Sequence, residues 1–120
     1  MADRVTLTSH AGKQIVQIDF NGCTPGTFAP IIQDAQRVIT ASPRGAVLAL
    51  TLLESVRFDP ATVLEMERFV STVQPYLKAN ALVGITGMKK VVFNGVKTLY
   101  RAPVELFDDA TAAKAWLLSR

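Results

Sequence analysis

The 120-residue chain carries one histidine, His10, and one cysteine, Cys23. A nucleophile needs a positioned base, and a metal site needs three or four ligands. His10 falls in a predicted hairpin turn and Cys23 in the Asn21-Gly22-Cys23-Thr24-Pro25-Gly26 loop, so neither has a visible helper. A lone cysteine also excludes an internal disulfide and a multi-cysteine metal centre. Glu54 and Asp59 flank one predicted strand exit. Paired carboxylates run acid–base chemistry when their pKa values split, but five residues apart these two read as a helix cap and a solvated side chain. The sequence therefore points away from an enzyme, and no cofactor or metal is expected.

One turn has the chemistry to hold an anion. Thr86-Gly87-Met88-Lys89-Lys90 places a permissive glycine and two lysines at a predicted helix start, where free N–H groups attract phosphate or carboxylate. It is not a Walker A loop, because Gly84 and Gly87 are too close and no Lys-Ser/Thr follows. The plainer reading is a turn shaped by glycine with solvated lysines. Charge is concentrated here. Residues 1–60 hold five basic and five acidic side chains, whereas 78–104 hold Lys78, Lys89, Lys90, Lys97 and Arg101 and no acid. Five cations are sparse for a polyanion site, which argues against nucleic acid as a partner.

These residues must be positioned by a fold. Mean hydropathy is high at +0.25, yet Ala46–Leu53, the longest run free of charge, Gly and Pro, is far below the ~20 residues of a membrane span. Residues 1–4 lack the apolar core of a signal peptide. A single unit over 1–120 is expected, in the cytoplasm, with its apolar residues in a core or a partner interface.

Val5 and Leu7, then Val16, Ile18 and Phe20, alternate with polar residues and predict two strands joined by a turn over Ser9–Lys13. Phe28, Ile31, Ile32, Ala35, Val38 and Ile39 have helical spacing, with Thr27 as N-cap and Pro30 in the first turn. Ala46–Leu53 reads as a strand buried on both faces. Asp59-Pro60 starts a helix with a stripe of Val63, Met66, Val70, Val73 and Leu77, which Pro75 kinks or ends. Leu82–Ile85 and Val104–Phe107 predict further strands. Asp108 or Asp109 caps a last helix burying Ala112, Ala113, Trp116 and Leu117; if it packs loosely, its apolar face could take a partner or a lipid. Residues 88–101 are ambiguous, since Asn94-Gly95 signals a hairpin while Met88, Val92, Val96 and Leu99 share a helical face. Strand–helix–strand order favours the helix. The expected fold is α/β, a mixed sheet of about five strands with four helices in the order β-β-α-β-α-β-α-β-α.

On that order, on Phe58-Asp59-Pro60-Ala61-Thr62-Val63 after the buried third strand, on Val83-Gly84-Ile85-Thr86-Gly87-Met88-Lys89-Lys90, and on the closing Phe107-Asp108-Asp109-Ala110 and Ala115-Trp116-Leu117, the chain resembles the STAS family and its SpoIIAA-like members. The resemblance implies a cytoplasmic regulatory module that docks on a protein or binds a small ligand. It also implies a phosphorylated serine at the start of the second helix. Here Pro60 and Ala61 occupy the serine positions, leaving Thr62 as a displaced candidate and Ser55 as a nearby hydroxyl. The expected docking surface is Ser55, Arg57, Asp59 and Thr62. The alternatives are a carrier for an anionic or lipid-like molecule at Thr86–Lys90, and a self-associating structural protein.

Overall fold

The structure, a computed structural model, describes residues 4–85 and 103–120. Two strands, β1 (Val5–His10) and β2 (Lys13–Asp19), form an antiparallel hairpin. Its turn is two residues, Ala11 and Gly12, with φ of 51° and 81°. Positive φ at both central positions matches the twist of a two-residue hairpin. The turn is therefore shorter than Ser9–Lys13, and His10 ends a strand.

The chain continues through helix α1 (Phe28–Thr40), strand β3 (Val47–Leu52), helix α2 (Pro60–Val73), strand β4 (Leu77–Val83), strand β5 (Val104–Phe107) and helix α3 (Ala110–Leu118). The strands lie in sequence order, with β2 to β5 parallel. Three α-helices, not four, are found among the described residues. The fourth was expected within 88–101, which lies outside them, as does the choice there between helix and hairpin.

Period-two alternation sends each strand's side chains to two faces. Val16, Ile18, Ala49 and Leu82 join the cluster beneath α1 and α2, whereas Ile15, Leu48, Leu50, Ala81 and Val83 meet Ala113 and Leu117 of α3. Being covered on both sides leaves β3 without polar alternation, as expected, and even its one polar residue, Thr51, is buried. Helix α1 buries Phe28, Ile31, Ile32, Ala35 and Ile39. Thr27 precedes it, but its hydroxyl binds Thr24 rather than the helix.

Three expectations change. Helix α2 buries Thr62, Phe69, Val70 and Val73, leaving Val63 and Met66 half-buried, and Leu77 belongs to β4 after a 3-10 turn over Gln74–Tyr76. Strand β4 starts at Leu77, not Leu82, because Asn80 is a core residue; Thr51 Oγ1 donates to its Oδ1 at 3.0 Å. In α3, Ala112 is exposed and Trp116 half-buried against Phe107, with ring centres 5.7 Å apart.

Candidate functional site

Strands β2 to β5 all end at one edge of the sheet, where open α/β folds place their ligands. Three turns interlock there. The Glu54 N–H donates to Asn21 Oδ1 at 2.7 Å, and the Gly22 N–H returns a bond to the Glu54 carbonyl at 2.8 Å. Arg57 N–H donates to the Cys23 carbonyl at 2.9 Å, and Leu53 N–H to the Val83 carbonyl at 2.8 Å. Gly84, at φ +91°, lies so close to Glu54 that a Cβ there would come within 2.9 Å of its backbone nitrogen. Arg4, just before β1, adds a clasp, donating to the Asn21 carbonyl at 2.9 Å and facing the Asp19 carboxylate at 3.6 Å.

Side chains of the β3–α2 loop sort by burial. Val56 is buried, and Phe58 stacks on Phe28 at 5.4 Å between ring centres. Glu54, Ser55, Arg57 and Asp59 are exposed. Ser55 has φ +57°, a conformation uncommon outside glycine, asparagine and aspartate. Asp59 is the N-cap of α2, accepting from the Thr62 N–H at 2.7 Å and from the Thr62 hydroxyl at 2.6 Å. The Thr62 hydroxyl first, and its N–H second, hold the Asp59 carboxyl below its ordinary value.

Asp59 and Thr62 are thus in direct contact, with Ser55 and Arg57 on the loop that leads to them. Thr62 is only 1% exposed, so its hydroxyl serves the cap. Thr86, Gly87, Met88, Lys89 and Lys90 lie outside the described residues. Cys23 is buried beneath this edge, whereas His10 ends β1 at the opposite edge, the length of β2 away, so the two cannot pair. No group of three or more His, Cys, Asp or Glu among the described residues is placed to hold a metal ion. A cavity of about 10 Å³ lies beside Asn80, room for one water molecule. No helix among the described residues is long and apolar enough to cross a membrane.

Sequence reasoning missed the clasp of Asn21 on Glu54, the Gly84 contact and the Thr51–Asn80 pair. Asn21-Gly22 was legible as a turn, but the partner of the asparagine lies 33 residues onward.

Among solved structures, the chain is similar to the crystal structure of an uncharacterized protein of the DUF3478 family from Shewanella loihica PV-4, described as having a SpoIIAA-like fold. The TM-score is 0.77, over 94% of this chain and 91% of that one. The fold is SpoIIAA-like. Sequence identity is 10%, so the likeness is one of fold. No family model matches the sequence, and no curated protein matches it. In the SpoIIAA-like frame the interlocked turns occupy the strand-exit edge, and Asp59 opens the second helix, where the family resemblance placed the switch residue. The buried Thr62 does not present a hydroxyl at that edge; Ser55 does.

Proposed function

We propose that this is a non-catalytic, cytoplasmic regulatory module that docks on a protein partner through the β3–α2 loop. The reading is supported by one combination: a backbone fixed from Leu53 to Thr62 by bonds to the Asn21–Cys23 turn, to the end of β4 and within its own helix cap, carrying exposed Glu54, Ser55, Arg57 and Asp59. A loop already held in one conformation loses little entropy on binding. Ser55, Arg57 and Asp59 supply a hydroxyl, a cation and an anion for contact, and Thr62 holds Asp59 in place from below. Partner capture with immobilised protein, identified by mass spectrometry, tests the reading. Arg57→Glu should abolish capture of a partner that Lys78→Glu, at the opposite edge of the sheet, retains. Equal capture by wild type and Arg57→Glu removes the loop as the docking surface.

A further inference from the structure

The two outer strands of the sheet are built differently. β5 has four residues, follows Pro103 and carries Glu105. Brevity, proline and charge are the means by which sheet edges are kept from pairing. β1 has six residues in unbroken register with β2, and no Pro, Lys, Arg, Asp or Glu. The nearest cation, Arg4, is turned back onto the end of β2. Among the described residues nothing pairs with the outer side of β1, where the sheet order ends. On that strand Leu7 is 59% exposed.

Hydrogen-bond alternation identifies the free backbone groups. Asp19 N–H donates to the Arg4 carbonyl at 2.7 Å, and Arg4 stands opposite Asp19 by continuation of the register. Arg4, Thr6, Thr8 and His10 therefore turn their N–H and C=O groups toward β2, and Val5, Leu7 and Ser9 turn theirs outward. We propose that this edge pairs with β1 of a second copy, antiparallel about a two-fold axis through Leu7, making one continuous sheet across two molecules.

The strand itself argues for its own copy as the occupant. Val5-Thr6-Leu7-Thr8-Ser9 reads nearly the same in both directions. In the two-fold register Leu7 meets its twin as a hydrogen-bonded pair, Val5 meets Ser9 of the partner subunit, and Thr6 meets Thr8 of the partner subunit. Thr–Thr pairs across strands are favourable. Leu7 stands opposite Val16, so both Leu7 side chains emerge on the α1 face and cover each other. The guarded β5 prevents the head-to-tail pairing that would grow an open fibre, and the two-fold contact closes as a dimer. A six-residue edge falls below the ~1,200 Å² of standard interfaces, so the dimer is reversible and depends on concentration.

Sedimentation velocity on the full chain over a wide concentration range tests it, with Leu7→Lys and two cysteine variants. The wild type should shift from monomer to dimer, and Leu7→Lys should weaken association at least tenfold with an unchanged circular dichroism spectrum. Under oxidation Leu7→Cys should cross-link to itself, since paired Cα atoms ~5.5 Å apart suit a disulfide. Ser9→Cys should not, because its twin lies four residues along the strand, roughly 13 Å away. A strict monomer, a dimer untouched by Leu7→Lys, or equal cross-linking at Ser9 overturns the proposal.

Discussion

Replacing Gly84 by alanine should be among the most damaging single-methyl changes in this chain, and Gly26 supplies its control. The two glycines have nearly the same φ, +91° and +94°. An L-residue in the left-handed region costs about 1–2 kcal/mol, and both variants bear that cost. They differ in space. Nothing lies within 4 Å of a Cβ at Gly26, whereas a Cβ at Gly84 meets the Glu54 backbone nitrogen at 2.9 Å and Cα at 3.0 Å. Those are main-chain atoms, and they are tied to Asn21 and Gly22 by hydrogen bonds. The clash cannot be relieved by a rotamer change, so an overpacking cost of about 1–3 kcal/mol is added. Gly26→Ala should thus cost about 1–2 kcal/mol and Gly84→Ala about 2–5 kcal/mol. Against the ~5–15 kcal/mol total of a typical domain the second is severe. Urea denaturation read by tryptophan fluorescence and circular dichroism gives both values. Equal losses, or a Gly84→Ala loss below about 0.5 kcal/mol, would refute the reasoning that Glu54 is wedged against the end of β4.

Thr62→Val keeps the shape of a buried side chain but removes its bond to the Asp59 carboxylate, and should cost about 1–3 kcal/mol in urea unfolding. In wild type the folded Asp59 pKa is depressed, so its stabilisation is present above its ordinary value of 3.8 and is lost as pH falls through the folded value. A carboxyl NMR titration should place the Asp59 midpoint below 3.8, and Thr62→Val should raise it. Lys13→Met removes the ammonium that donates to the Leu118 and Arg120 carbonyls at 2.8 and 3.0 Å; amide exchange should quicken in the last turn of α3, with a loss of about 1 kcal/mol. Thr51→Val strands a buried amide and should cost about 1–3 kcal/mol, while Thr51→Val with Asn80→Leu should recover part of it in a double-mutant cycle.

Where local chemistry decided the structure, the sequence was legible. Asp59-Pro60 starts α2 because a carboxylate caps free N–H groups and proline needs no donor at the first position. Ala46–Leu53 was visible as a two-faced strand because burial on both sides erases alternation. The misses needed a distant partner. Lys78 and Asn80 interrupt the apolar pattern of β4, and only Thr51, 29 residues earlier, makes Asn80 a core residue. Thr62 was expected on the docking surface because the family resemblance puts the switch residue beside it; three positions past the cap, the helix turns inward and buries it. The candidate site was legible in its location at the β3 exit, and not in the clasp of Asn21 and Gly84 that holds it.

The division of the core between two faces has a consequence for synthesis. The strands are laid down in order, and α1 and α2 follow the strands they cover, so that face can close while the chain is still being made. The opposite face waits. Ile15, Leu48, Leu50, Ala79, Ala81 and Val83 have no helix among the described residues until Ala113 and Leu117 arrive near the C-terminal end. Among the described residues only α3 covers this face, so a chain truncated before Ala110 should leave these side chains uncovered and be gripped by chaperones that the intact chain does not engage.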